Sequence, residues 1–250
     1  MTTGLPSVSL VIPTLGRAEI VVDTVRYLLR QNYDDWELIV VDQSDVPNEE
    51  LLQVLKDMPV PARYYFVEFR GLPLARNFGW QHAEKEIVLY IDDDIECGPE
   101  FVRSHAEAHR DRRYAFVAGG IREAGSQVTS ASPGSLNVWT GDPVGNFASL
   151  QAGPAVHGGG GNISFRRDVF ARHGGFDEQL TVGAALYEEL EFCLRLKSHG
   201  ETGWFAPEAG LFHLAAPTGG CRVLRDWPRY MHGLAHNRAM IIFRYLKFRA

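Results

Sequence analysis

Three consecutive aspartates, Asp92, Asp93 and Asp94, follow the apolar run IVLYI and hold the clearest capacity for chemistry in this 250-residue chain. Side chains of extended backbone alternate, so Asp92 and Asp94 face one side and Asp93 the other. Two carboxylates crowded together call for a cation. Hard divalent ions such as Mn²⁺ or Mg²⁺ take carboxylate oxygens and complete their shell with phosphates, which points to a metal–diphosphate site. The plain alternative is a solvated acidic turn capping the helix that starts near Pro99.

Other candidates gain meaning from that cluster. Asp42 and Asp45 close WELIVVDQSD, where Gln43 and Ser44 add hydrogen-bonding groups suited to a base or ribose; alone this is an ordinary strand-to-loop turn. RGLPLARNFGW starts a helix with Arg76, able to reach a phosphate or to sit on the surface, and Asn77, able to bond the adjoining loop. HGGGGN, residues 157–162, lets a ligand or a neighbouring strand approach the backbone, although the spacing of a nucleotide phosphate loop is absent. His213 becomes a metal ligand only in company with the aspartates; a lone histidine is more often a satisfied core or surface residue.

The segment LYEELEFCLRLKSHG, read as a helix over residues 186–199, contains three glutamates. On a helical wheel Glu189 shares the arc of Leu186, Leu190, Cys193, Leu194 and Leu196, whereas Glu188, Glu191 and Arg195 fall opposite. Glu191 is expected to pair with Arg195 on the wet face. A carboxylate on the inner arc is a structural residue bonded to an amide or arginine, or a partly buried base for an acceptor hydroxyl. The second role is the one assigned to Glu189.

The elements that must position these groups read as α/β. Short Val-, Ile- and Tyr-rich runs at 7–13, 36–41, 63–69 and 86–91 alternate with helical periodicity, as parallel strands buried on both faces require. Residues 123–161 read as long loops and short strands on the acceptor side. A strand over 203–214 and a basic helix from about Leu224 complete the chain.

The net charge of −6 is uneven: residues 222–250 carry +6, leaving −12 on residues 1–221. An acidic body argues against nucleic acid as a partner, and a basic tail suits peripheral contact with an anionic membrane or packing on the domain. Three cysteines without CxxC pairing fit a reducing cytosol, and no apolar stretch is long enough to span a bilayer. The expected location is cytoplasmic, at most peripheral to the inner face of the membrane.

As an ordered set, VSLVIPTLGR, LIVVDQSD, GLPLARNFG, VLYIDDDI, GGGNISFRRDVFARHGGFDE and YEELEFCLRL resemble the family 2 glycosyltransferases of the GT-A fold. The resemblance implies a Rossmann-like three-layer α/β domain with a mainly parallel central sheet, over residues 1–221. Residues 1–122 would bind the nucleotide sugar, 123–221 would form the acceptor and catalytic half, and 222–250 would be a basic helical tail. It implies inverting transfer from a UDP-, GDP- or dTDP-linked sugar to a carbohydrate or lipid-linked acceptor, with Mn²⁺ or Mg²⁺. Asp94 and Asp92, with His213, would hold the metal, and Glu189 would be the base. Pro13, Thr14, Asp42, Arg76, Asp92, Asp93, Gly160 and Asn162 would form the donor site. The chain departs from the family pattern in having Glu189 where Asp is usual, Tyr187 in place of a glycine, and VDQSD where VDDGS is commoner. A sugar-1-phosphate nucleotidyltransferase and a non-catalytic sugar-nucleotide module are the alternatives.

Overall fold

The protein is described here by a computed structural model covering residues 4–137, 139–181, 186–216 and 226–246. Its first half alternates strand and helix. β1 (Val8–Thr14) and β2 (Trp36–Asp42) are buried at every position, as expected of strands covered on both faces. Between them α1 (Ala18–Leu28) buries Val21, Val22, Val25 and Leu28. α2 (Glu49–Val54) is capped by Asn48, whose side chain accepts the Leu51 amide at 3.0 Å. β3 (Ala62–Phe66), α3 (Leu72–His82) and β4 (Ile87–Ile91) follow, with Pro73 in the first turn of α3, where its missing amide is not needed.

Beyond the aspartates, β5 (Ile95–Cys97) precedes α4 (Phe101–Ala108) and β6 (Tyr114–Arg122). The loop-rich segment holds the two-residue strands β7 (Ser135–Leu136) and β8 (Pro143–Val144), paired as a ribbon, and β9 (Gly153–Ala155). Then come β10 (Asn162–Arg166), α5 (Arg167–His173), α6 (Glu188–Ser198), β11 (Thr202–His213) and α7 (Trp227–Tyr245).

The main sheet runs β3-β2-β1-β4-β10-β6-β11-β5, with β9 alongside β11. β3, β2, β1 and β4 are mutually parallel, β10 is antiparallel to both neighbours, and β11 is parallel to β6. One face packs on α1, α2 and α4, and the other on α3, α5 and α6. This is the three-layer α/β architecture that the resemblance implied, with the strands of the alternating runs covered on both faces.

Two features of the sheet place the site. Thr14 pairs with Asp42, and β4 ends beside them, so the carboxyl ends of three parallel strands open on one edge, where ligands of such sheets bind. In addition, the β6–β11 register shifts between Ala206 and Leu211, a bulge that carries β11 onward to pair with β5 and sets His213 opposite Ile95. Gly119 makes the bulge possible: a Cβ there would lie 2.3 Å from the Ala209 carbonyl oxygen.

Three expectations need correction. β5 separates the aspartates from α4, so they do not cap that helix. On α6 the single-face wheel fails, because Glu188 and Glu191 are buried while Glu189 is only half-buried. The helix is covered on two sides: α5 and the sheet meet one, and α7 lies across the other, burying Leu190 and Leu194 against Ile241. Glu191 still pairs with Arg195, at 2.8 Å, but inside the fold, where it also accepts the Tyr245 hydroxyl. The basic tail, over its described part, takes the second of its two expected courses and packs on the domain. Asn237 donates to the carbonyls of Leu180 and Leu186, and Arg238 and Arg244 meet Asp142 and Asp177. The expected helix start at Leu224, the 221/222 boundary and the charges of Arg222, Arg225, Lys247 and Arg249 lie outside the described residues.

Candidate active site

The bend after β4 sends Asp92 and Asp94 to one side and Asp93 to the other, as strand alternation requires. Ligand atoms of Asp92, Asp94 and His213 all lie within 4.8 Å of one another. His213 Nε2 is 3.1 Å from Asp94 Oδ1 and 3.7 Å from Asp92 Oδ2. Asp94 Oδ1 is buried without a well-aligned hydrogen bond, an orphaned acceptor of the kind a cation satisfies. On its far nitrogen, His213 meets Glu123 at 2.6 Å, the carboxylate–imidazole arrangement that orients a metal-ligating histidine. Two carboxylates and an imidazole suit Mn²⁺ well and Mg²⁺ through its oxygen ligands. The residues present therefore fit a divalent cation. Asp92 and His213 line a cavity of about 140 Å³ with Ile121, Glu123, Gly161 and Leu211.

The electrostatics follow from these contacts. The Asp94 carboxylate, aided by Glu123 and opposed by burial, holds the His213 imidazole up at about 9. Burial acts to raise Asp94, but His213, the Ala216 amide at 2.8 Å and Arg17 bring it below the usual carboxylate range. Burial raises Asp92 against the pull of Arg76 and His213. Such opposed environments around one cleft are typical of functional sites.

Asp93 is occupied elsewhere. It accepts the Thr14 hydroxyl at 2.6 Å and Arg17 at 2.7 Å, and burial pushes its carboxyl up to about 6. Arg17 also lies 3.3 Å from Asp94, so it ties the two sides of the bend together. Pro13 and Thr14 finish β1 within this knot and are buried. Asp42 ends β2, accepting the Ser44 amide at 2.9 Å and the Tyr64 hydroxyl at 2.7 Å. Gln43 accepts the Gly71 amide, Ser44 accepts the Gly16 amide, and Asp45 meets Arg70 at the surface.

Several proposed donor contacts have other partners. Asn162 is fully buried, bonded through its amide to the carbonyls of Gly120 and Ala209 and to His105, so its polar atoms serve the bulge. Arg76 is neither a surface residue nor exposed to the pocket. It is 1% exposed, contacts Glu188 at the start of α6, and donates to the Gly160 carbonyl at 2.9 Å. Asn77 bonds Phe176 and Glu178, tying α3 to a segment 99 to 101 residues on rather than to the loop adjoining the helix. Glu189 sits beside Glu188, and its charge is felt at both Arg76 and Asp92.

Sequence reasoning missed Arg17, Glu123 and Glu188. Arg17 was visible in PTLGR, directly after the first strand. Glu123 had no local signal, since the β6–β11 pairing brings it to His213 across 90 residues.

Comparison with known proteins agrees with this geometry. Residues 9–174 match the model of glycosyl transferase family 2. The chain is 29% identical over 142 residues to the putative colanic acid biosynthesis glycosyl transferase WcaA of Escherichia coli (strain K12), covering 55% of this chain and 50% of that protein. It is 27% identical over 176 residues to the glucosyl-dolichyl phosphate glucuronosyltransferase of Haloferax volcanii, covering 68% and 56%. The chain thus spans about half the length of these curated relatives. Among solved structures, the mannosyltransferase PcManGT from Pyrobaculum calidifontis, in complex with GDP-Man and Mn²⁺, superposes with a TM-score of 0.66 at 17% identity, covering 96% of this chain and 65% of that one.

Proposed function

The chain belongs to glycosyl transferase family 2, and on that premise we propose that it transfers a sugar, with inversion, from a nucleoside-diphosphate sugar to an acceptor hydroxyl in polysaccharide or glycoconjugate synthesis. The observation that carries this reading is the convergence of Asp92, Asp94 and His213 at the carboxyl edge of the sheet, with Glu189 on α6 near enough for its charge to be felt at Asp92. Mn²⁺ or Mg²⁺ bound there would neutralise charge developing on the departing diphosphate. Asp92 and Asp94 present the acidic face to that group, and Glu123 fixes the ring of His213. Glu189 takes the acceptor proton as the hydroxyl oxygen attacks the anomeric carbon and the bond to the diphosphate oxygen breaks. Asp42 and the residues closing β1 and β2 form the floor on which the nucleoside rests, so residues 1–122 serve the donor and the following segment serves the acceptor.

The donor is a UDP-, GDP- or dTDP-linked hexose, consistent with the GDP-Man and Mn²⁺ of the superposed mannosyltransferase. A carbohydrate or lipid-linked acceptor is consistent with the names of the matched relatives. No described helix is long and apolar enough to cross a membrane. Exposed Trp227, Met231 and Phe243 on α7 suit peripheral contact at the cytoplasmic face.

Incubation with a panel of labelled nucleotide sugars and Mn²⁺ tests the reading. Release of nucleoside diphosphate is expected. Pyrophosphate release with a sugar 1-phosphate and nucleoside triphosphate would identify a nucleotidyltransferase, and release of neither product across the panel would identify a binding module.

A further inference from the structure

The mechanism above leaves one buried pair without a task. Arg76 and Glu188 are joined across 112 residues, with side chains 2% and 3% exposed. Around the arginine, three segments meet. Its other terminal nitrogen donates to the Gly160 carbonyl at 2.9 Å, its guanidinium lies 5.9 Å from the Tyr90 ring and 5.6 Å from the Phe176 ring, and its own carbonyl accepts the Tyr90 hydroxyl at 3.0 Å. A Cβ on Gly160 would sit 2.6 Å from the guanidinium, so the glycine run is held flat against it.

Both partners also keep a buried atom with no hydrogen bond: Nε of Arg76 and Oε2 of Glu188. A pair retained at that cost, in place of apolar residues, calls for a specific geometric return. Its place supplies one. Glu188 is the first residue of α6, Glu189 follows it, and Tyr187 before it adopts a left-handed φ of 74°. That conformation is strained for a tyrosine and persists only when its surroundings over-determine it.

We infer that the Arg76–Glu188 pair is a positioning clamp that fixes the first turn of α6 to the glycine loop and to α3, and so aims Glu189 at the acceptor side of the donor pocket. The inference rests on Glu189 being the base. Arg76 acts through Glu188 and Gly160, not through the donor phosphates. The glycine loop, which abuts Asp92 at Gly161, and the base thus share one anchor.

The test separates positioning from donor contact by measuring kcat for transfer and, by calorimetry, the Kd for UDP or GDP with Mn²⁺, whichever the wild type binds. Arg76→Met is expected to lower kcat about a hundredfold, the effect of misplacing a reacting group by about 1 Å, with Kd within about threefold of wild type. Arg76→Lys should recover part of kcat. An Arg76→Met variant that loses tenfold or more in nucleoside-diphosphate affinity would place Arg76 on the donor and overturn the clamp, as would a wild-type kcat. Should the single variant fail to fold, Arg76→Met with Glu188→Met removes both buried charges together. The folded double variant is expected to bind normally and transfer slowly; normal transfer overturns the inference. Glu189→Gln tells the two levels apart. Wild-type transfer by that variant defeats the base assignment itself, whereas its loss alongside normal transfer by the double variant defeats only the clamp.

Discussion

Replacing Gly161 by alanine should cost metal affinity without costing stability. Gly161 precedes β10 with backbone angles open to any residue, so the alanine stiffens the unfolded chain and tends to stabilise the fold by a few tenths of a kcal/mol to about 1 kcal/mol. Its Cβ, however, would lie 2.5 Å from Asp92 Oδ2 and 2.9 Å from Cγ. The carboxylate must retreat by most of an ångström to reach ordinary contact, which its side chain can do by rotating. That displacement far exceeds the ~0.2 Å tolerance of metal–ligand distances, so Asp92 no longer converges with Asp94 and His213. Loss of an oriented ligand of this kind is expected to weaken Mn²⁺ binding about ten- to a hundredfold, or about 1.4–2.7 kcal/mol. Calorimetric titration of Mn²⁺ with nucleoside diphosphate, beside a thermal melt, measures both quantities. Unchanged Mn²⁺ affinity in a variant of normal melting temperature would refute the reasoning.

Two other expectations concern stability. Burial holds His105 down at about 4 and His109 at about 3, where both share Ser164. Because these folded values lie below the ordinary 6.5, the contribution of these two rings is full above pH 6.5 and falls on acidification toward pH 4, as the unfolded chain takes up protons the fold refuses. Each ring contributes a slope of up to about 1.4 kcal/mol per pH unit. Asp93, held up at about 6, works the other way, as do Asp92 and Glu188, both raised by burial, and His213, held at about 9, so the histidines' share is read as a difference between wild type and variant. Urea unfolding of wild type and His109→Gln from pH 7.5 to 4.5 should show the wild type losing stability relative to the variant as pH falls; parallel profiles would contradict it. In Gly203→Ala, a Cβ would come within 2.0 Å of Phe116 Cζ, deep in the aromatic core, so a loss of about 1–3 kcal/mol in chemical denaturation is expected, and wild-type stability would count against the packing described.

Much of this was legible in the chain. The runs that became β1 to β4 announce themselves because strands buried on both faces are nearly continuous in apolar residues. Opposite orientation of Asp92 and Asp93 follows from strand geometry alone, and the glycines of residues 158–161 marked a close approach that proved to involve Arg76 and Asp92. What stayed hidden depends on contacts distant in sequence. The wheel separated the three glutamates by one apolar arc and could not foresee that Arg76 would bury Glu188, or Tyr245 of α7 meet Glu191, on the other side of α6. Arg76 looked like a surface or phosphate-binding residue because its partner, Glu188, lies 112 residues away. Asn162 stood in a motif-like stretch, yet the bulge at Gly119 and Ala209 claims its amide. β6 lacked a motif to draw notice, although it places both Glu123 and the bulge.

The central claim is that Glu189 removes the acceptor proton beside a donor held at Asp92, Asp94 and His213. The most direct measurement is sugar transfer by Glu189→Gln, with donor and Mn²⁺ binding followed in the same preparation. The account predicts transfer slowed by about 10²–10⁴ while metal-dependent donor affinity stays at the wild-type level. Transfer at the wild-type rate by a variant that binds donor normally would contradict it.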